Sequence, residues 1–192
     1  MIRVAFFRCA IERLLAAKAL YGLFLLAGAP VLCAQTYLVQ DLGTLDGGDL
    51  SAAYGINNLG QVVGSSRILL NGVGTSRATL FNGTGVNNTD LGTLSGSYGI
   101  AFSINAGGQV AGEASLSPGN LIRATLFSGT GSNNTNLGNL GPNPFGDAQS
   151  EAFSINSSGQ IVGSAIEASG FEHAALFSGT GSNNTNLGTS AE

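Results

Sequence analysis

Three aspartates in one predicted loop are the side chains best suited to metal binding in this sequence of 192 residues. Asp41, Asp46 and Asp49 could hold calcium, a hard cation that prefers carboxylate and carbonyl oxygens. Asp46, however, aligns with Ser95 in the repeat described below, so the repeat does not encode the site. We therefore expect a solvated turn here, with calcium binding as the alternative, and we predict no other metal site.

Residues that could catalyse a reaction are scarce. Asp147 and Glu151 are a carboxylate pair of the kind that hydrolyses glycosides. Both lie in an insertion that only the third repeat has, which favours a solvated loop. His173 is the single histidine, and no serine lies in a Gly-x-Ser-x-Gly turn. We predict no catalytic residue, no cofactor site and no enzymatic activity.

An export signal precedes the elements that must position these residues. Residues 1–18 carry four of the seven basic side chains, residues 19–32 are apolar, and small Ala34 offers a cleavage position. The apolar run is shorter than the ~20 residues of a membrane span. We expect a helical signal peptide over 1–34 and a domain over 35–192 that is secreted, with the periplasm, the cell surface or an uncleaved anchor as alternatives.

The part that follows the signal is acidic. After Leu32 the chain has three arginines, no lysine and ten carboxylates, so its net charge is about −7. Such a surface repels phosphate backbones and has little attraction for anionic lipid. We predict no nucleic-acid partner and no stable membrane span after signal cleavage.

Tandem copies of one repeat make up this acidic part. Gln61, Gln109 and Gln160 mark equivalent positions, which are 48 and 51 residues apart. Residues 127–138 are repeated letter for letter at 177–188, which indicates tandem duplication. The predicted repeats cover about 41–89, 90–135 and 136–185, followed by a partial strand over 186–192.

Each repeat has the pattern of four short strands. Tyr54 and Ile56 alternate along the first strand, which predicts that both lie on one buried face. An Asn-x-x-Gly turn and a Gln-Val-Val-Gly strand follow, and this order predicts a hairpin. We expect the glutamines to satisfy backbone groups at the hairpin, or alternatively to line a ligand-binding face. The consensus positions of turn and strand are Asn57, Gly60, Gln61, Asn105, Gly108, Gln109, Asn156, Gly159 and Gln160.

Four strands in a unit of ~40–50 residues are typical of a β-propeller blade, with a β-solenoid as the competing fold. Phe81, Phe127 and Phe177 end the third strand of each unit, and we expect them in the core. Closed propellers need ~4–8 blades. We therefore predict an all-β protein whose three tandem four-stranded repeats form an open, partial β-propeller-like array, with possible self-association through its open edges.

The repeat resembles that of the HAF-repeat family of bacterial extracellular repeat proteins. The matching segments are Leu42–Leu45, Ala53–Gly64 and His173–Phe177, although arginine replaces the histidine in the other copies and phenylalanine replaces the family's tryptophan. The resemblance implies an exported, propeller-like protein and no particular reaction. It also implies that the repeated Asn-Asn-Thr triplets, which are glycosylation sequons by pattern, are ordinary loop residues.

These observations favour a secreted, non-catalytic repeat module for extracellular or cell-surface interaction. The sequence does not specify the ligand. Two alternatives stay open, namely a fragment of a larger propeller and a glycan-directed extracellular enzyme that uses its acidic loops.

Overall fold

The computed structural model describes residues 37–83, 87–129, 131, 133–141, 149–179 and 183–188. The chain divides into two compact units, Met1–Leu38 and Val39–Glu192, and the account below concerns the described residues of the second. The predicted signal helix over 1–34 lies outside the described residues. Among those residues, no helix combines the length and the apolar character that crossing a membrane requires.

Short antiparallel strands build the described part of the chain into three four-stranded sheets. Sheet 1 contains β1 (Leu50–Ile56), β2 (Val62–Leu70), β3 (Val73–Phe81) and β4 (Thr89–Gly92). Sheet 2 contains β5 (Gly99–Ile104), β6 (Val110–Leu116), β7 (Leu121–Phe127) and β8 (Thr135–Asn136). Sheet 3 contains β9 (Ser150–Ile155), β10 (Ile161–Ile166), β11 (Glu172–Phe177) and β12 (Thr185–Asn186). The prediction of an all-β, open, propeller-like array with four strands in each repeat is confirmed.

The turn between the first two strands of each sheet has the predicted form. The Gly60 amide donates to the Asn57 carbonyl at 3.0 Å, and the Asn57 amide donates to the Gln61 carbonyl at 3.1 Å. Gly60 has a φ of 76°, in the left-handed region that favours glycine. Gly108 and Gly159 have φ values of 79° and 79° in the equivalent turns. The Asn-x-x-Gly sequence therefore specifies the same hairpin turn in each of the three sheets.

A β-bulge interrupts the first strand of each sheet at its aromatic residue. In sheet 1 the register shifts between Ala53 and Gly55, which leaves Tyr54 without a cross-strand partner. The prediction that Tyr54 and Ile56 lie together on one buried face is therefore wrong. The bulge turns the Tyr54 ring away from the face that carries Ile56, and Tyr54 is 52% exposed. Ile56 is 70% exposed, because no described sheet packs on that face of sheet 1. The Tyr54 ring packs instead at a tilt against that of Phe102, with a centroid separation of 5.7 Å, and Phe102 packs edge-on against Phe153 at 5.9 Å.

The sheets pack face to face around two apolar clusters. Between sheets 1 and 2 the cluster consists of Val63, Ala78, Leu91, Ala101, Ile104, Val110, Ala114 and Phe127. Between sheets 2 and 3 it consists of Ala111, Ala124, Leu137, Ala152, Ile155, Ile161, Ala165, Ala175 and Phe177. Phe81, Phe127 and Phe177 are only 5%, 4% and 5% exposed, so their predicted place in the core is confirmed.

Candidate functional site: the contacts between sheets and the outer faces

The consensus asparagine of the first turn connects two sheets. Asn57 Oδ1 accepts hydrogen bonds from the amides of Leu59 and Gln61, both at 3.0 Å, which fixes the turn. Asn57 Nδ2 donates to Gln61 Oε1 at 2.8 Å and to the carbonyl oxygen of Asn105 in sheet 2 at 2.9 Å. One side chain therefore orders its own hairpin and binds the neighbouring sheet.

The same contact recurs one sheet further on. Asn105 Nδ2 donates to Gln109 Oε1 at 2.8 Å and to the carbonyl oxygen of Asn156 in sheet 3 at 3.0 Å. Asn156 is exposed and donates to Gln160 Oε1 at 2.7 Å. In all three turns the glutamine side chain accepts from the asparagine, while the asparagine oxygen satisfies the backbone amides. The hairpin is thus held by the asparagine more than by the glutamine.

A second asparagine, in the Asn-Asn-Thr triplet, clamps a backbone segment that lies more than 40 residues earlier in the chain. Asn134 Nδ2 donates to the carbonyl oxygens of Leu91 at 2.8 Å and Thr93 at 3.0 Å. Asn88 makes this contact with residues 42 and 44, and Asn184 makes it with residues 137 and 139. Sequence reasoning assigned these triplets to ordinary loops. The triplet is identical in all three repeats, and this identity was the signal that could have indicated a structural role for its second asparagine.

A groove of about 310 Å³ lies where sheets 1 and 2 meet. Gln61 and Gln109 line it, together with the apolar side chains of Leu91, Ile104 and Phe127. The structure therefore brings two of the three consensus glutamines to one concave surface, while Gln160 is not among its lining residues. Two amide side chains above apolar walls can exchange hydrogen bonds with a bound group and contact its apolar parts, and Ser128 adds a hydroxyl to the lining.

The three aspartates of the calcium candidate have separate roles. Asp41 Oδ1 accepts from the Gly43 amide at 2.8 Å. Asp49 Oδ1 accepts from Arg67 Nε at 2.9 Å, and this hydrogen bond, followed by the attraction of the two charges, lowers the pKa of Asp49. Asp46 is exposed in the turn between them. Over the described stretches, no three His, Cys, Asp or Glu side chains gather into a group that could hold a metal ion.

Only one member of the possible carboxylate pair can be placed, because Asp147 lies outside the described residues. Glu151 lies half-buried on β9, where burial, followed by repulsion from Glu172, raises its pKa. His173 lies on β11 with Nε2 at 3.3 Å from Glu167 Oε1. No hydrogen bond or ion pair joins His173 to Glu151 in the described part of the chain.

A buried carboxylate that the sequence did not single out lies between sheets 2 and 3. Glu113 on β6 is only 6% exposed and accepts a hydrogen bond of 2.6 Å from the Tyr98 hydroxyl. Burial raises the pKa of Glu113, and repulsion from Glu151 adds to this rise, while the hydrogen bond from Tyr98 opposes it. Burial, followed by the hydrogen bond to Glu113, also raises the pKa of Tyr98. Glu113 replaces the serine found at this position in the other repeats.

The two ends of the stack expose sheet faces that no other described sheet covers. The outer face of sheet 1 carries Ile56, Val62 and Phe81, which line a groove with residues 40 and 42. Ile56 is exposed on this face, whereas Phe81 is buried. The outer face of sheet 3 is defined by Val162, Ser164, Ala174 and Leu176, which β10 and β11 present on one side. The hydroxyl oxygen of Ser164 is buried without a hydrogen-bond partner, alone among the side-chain atoms of the described residues. Buried polar atoms normally have a partner.

The chain was compared with known proteins at the level of families, sequences and structures. No protein-family model matches the sequence. No curated protein matches it. No solved structure matches it either.

Proposed function

We propose that this chain is an exported, non-catalytic repeat module that acts by surface contact outside the cell or at the cell surface. The observation that carries the proposal is the exposure of apolar side chains at both ends of the sheet stack. Ile56 is 70% exposed, Val162 41% and Leu187 55%. Contiguous apolar surface on a protein marks sites of interaction.

The use of the polar consensus residues supports the same proposal. Asn57, Asn105 and Asn134 all have their side-chain amides engaged in hydrogen bonds between sheets. The repeat therefore preserves a stack of sheets, which supports a role in contact. A repeat that encodes only its own stacking is expected to present a surface, as extended repeat proteins do.

The extracellular address rests on the signal pattern of residues 1–34 and on the resemblance to HAF repeats. Expression of the full chain in a bacterial host, followed by fractionation and amino-terminal sequencing, tests this part. We expect the protein outside the cytoplasm with Gln35 as its first residue. A cytoplasmic product that still starts at Met1 would contradict the export.

Binding and turnover can be measured on the same exported protein. We expect retention on a glycan array or on isolated cell envelopes, and no product from a panel of glycosidase substrates. Turnover would favour the enzyme alternative, and Glu151→Gln would then test the half-buried carboxylate on β9. Retention that is equal to that of an unrelated acidic protein of similar size would contradict the interaction role.

A further inference from the structure

The contact between neighbouring sheets is made twice from the same repeat positions. Part of each half recurs, exposed, at one end of the stack, where no described sheet lies against it. One half is the face that a sheet turns towards its successor. Val63 and Ala111 occupy it in sheets 1 and 2 and are both 0% exposed, whereas the equivalent Val162 of sheet 3 is 41% exposed. Leu91 and Leu137 are 4% and 3% exposed, whereas the equivalent Leu187 is 55% exposed.

The other half is the face that a sheet turns towards its predecessor. Ile104 and Ile155 occupy it in sheets 2 and 3 and are 7% and 6% exposed. The equivalent Ile56 in sheet 1 is 70% exposed. The outer faces of sheets 1 and 3 are thus the two complementary halves of one interface that the molecule already forms twice.

The hydrogen-bond and aromatic ladders that cross the stack also stop at these faces. The Asn57-to-Asn105 hydrogen bond is repeated from Asn105 to Asn156. The Asn156 amide donates to Gln160 in its own turn, and no described sheet lies beyond it. Phe153 is 47% exposed and Tyr54 is 52% exposed at opposite ends of the ring ladder. Another sheet 1 beside sheet 3 would therefore extend both ladders with residues of the same types.

Residues 41–45 make the hydrogen bonds that a fourth strand and the segment after it make in the next repeat, although they are not in a strand themselves. Asp41 Oδ1 accepts from the Gly43 amide at 2.8 Å, as Asp90 Oδ1 accepts from the Gly92 amide at 2.7 Å. Asn88 Nδ2 holds the carbonyl oxygens of residues 42 and 44 at 2.9 and 3.0 Å. The backbone just before Asp41 is open, because Val39 is 101% exposed.

The edge of sheet 3 is the place where this segment fits. Its fourth strand, β12, has only two residues, Thr185 and Asn186, and both are exposed. Gln40 and Asp41 occupy the same positions of the repeat as Thr185 and Asn186 and can pair with β11 in the same register. Asn88 of sheet 1 already holds residues 42 and 44, so pairing of residues 40–41 with β11 of another copy would complete the interface.

We infer that a second copy of this chain docks head to tail, so that the outer face of sheet 3 of one copy covers the outer face of sheet 1 of the other, with residues 40–41 taking the place of β12 beside β11. The contact is heterologous, because it joins two different faces. This inference rests on the proposed interaction role and names a partner for it. The full chain should therefore sediment as a pair or a longer assembly across the micromolar range.

Single charges on each face test the contact. Val162→Asp and Ile56→Asp each place a carboxylate in an apolar interface, so each variant alone should associate at least about 100-fold more weakly than the wild type. Leu69→Asp is the matched control, because Leu69 is an apolar residue that is 65% exposed near the tip of the β2–β3 hairpin. It should associate like the wild type. Circular dichroism confirms that each variant is folded.

A mixing experiment shows which faces meet. Val162→Asp keeps an intact sheet 1 face, and Ile56→Asp keeps an intact sheet 3 face, so their mixture should form pairs that neither variant forms alone. A wild-type chain that stays monomeric across the micromolar range overturns the inference. So does either variant that still pairs with itself, since this would indicate a contact between two like faces. Retention on glycans or envelopes is measured separately, so a monomer that is retained leaves the proposed function standing.

Discussion

The side-chain amide of Asn134 donates to the backbone carbonyl of Leu91 at 2.8 Å, which ties sheet 2 to the fourth strand of sheet 1. The same amide donates to the Thr93 carbonyl at 3.0 Å, and Asn134 Oδ1 accepts from the Ser128 amide at 3.0 Å. One side chain thus satisfies three backbone groups in or next to strands of two sheets. The repeated triplet is part of the contact between sheets and does more than form a loop.

Asn134→Ala should lower the free energy of unfolding by about 2–4 kcal/mol, because it removes three hydrogen bonds and leaves partly buried backbone groups unpaired. Urea denaturation measures this change. Asn133→Ala is the control, since Asn133 is the exposed neighbour in the same triplet, and we expect a change within about 0.5 kcal/mol. Equal costs for the two variants would contradict the clamp.

The glycine that ends each Gln-Val-Val-Gly motif is required by a close approach of the bulged strand. A Cβ atom at Gly64 would overlap the carbonyl oxygen of Ala52 and would lie 2.9 Å from the Cα of Ala53. Gly64→Ala should therefore cost about 3 kcal/mol or more, at the upper end of overpacking costs, because the obstructing atoms belong to the backbone. Thermal unfolding followed by circular dichroism measures the loss.

Gly74→Ala is the matched control within sheet 1. A Cβ atom there would meet only the flexible side chain of Arg67, at 3.4 Å or more. Because alanine also has fewer conformations to lose than glycine on folding, we expect this variant to be as stable as the wild type or slightly more stable. If both variants lost a similar amount of thermal stability, the close approach of the bulged strand to Gly64 would not be the cause of the loss.

Phe127 ends β7 and packs in the cluster between sheets 1 and 2, where it is 4% exposed. Phe127→Ala should reduce the free energy of unfolding by about 3–5 kcal/mol, because it leaves a cavity in a close-packed core. Phe171→Ala deletes the same side chain where it is 69% exposed, and we expect a change of less than about 0.5 kcal/mol. An unchanged melting temperature for Phe127→Ala would contradict its position in the core.

The parts of the fold that the sequence predicted are those with local causes. Asn57 and Gly60 specify a turn within four residues, and apolar residues in one phase specify the strands around it. The sequence also contains an Asn-Gly pair, which is typical of a two-residue hairpin loop and was not among the predicted turns. Asn71 and Gly72 have φ values of 51° and 81°, and they join Leu70 to Val73 in a two-residue hairpin loop. That turn extends β2 well beyond the predicted Gln-Val-Val-Gly strand.

The parts that the sequence did not predict depend on distant neighbours. Asn88 contacts the carbonyl oxygen of Leu42, a residue 46 positions away, and nothing in the local pattern specifies that partner. The alternation of Tyr54 and Ile56 was read as a regular strand, and one inserted bulge residue reversed the side on which the ring lies. The burial of Glu113 likewise depends on the sheet that faces it. The strand pattern does not specify a buried carboxylate here, since serine occupies the equivalent position in the other two repeats.

The last prediction concerns the pH dependence of stability. Because burial raises the pKa of Glu113 above its ordinary value of about 4.5, the folded state holds this proton more tightly than the unfolded chain does. The resulting stability is fully present below about pH 4.5 and is lost as the pH rises through the raised pKa of the folded state. Glu113→Gln removes this titration while its amide oxygen can still accept from the Tyr98 hydroxyl. The variant should therefore gain stability relative to the wild type as the pH rises from mildly acidic to neutral.

Urea denaturation of both proteins over this pH range measures the difference. Glu151, whose pKa burial also raises, is present in both proteins, so most of its contribution cancels in the comparison. Asp46→Asn removes one carboxylate from an exposed turn and serves as the control for net charge. Its stability curve should run parallel to that of the wild type. If the curve of Glu113→Gln ran parallel as well, the carboxylate between sheets 2 and 3 would not be the group that burial holds protonated.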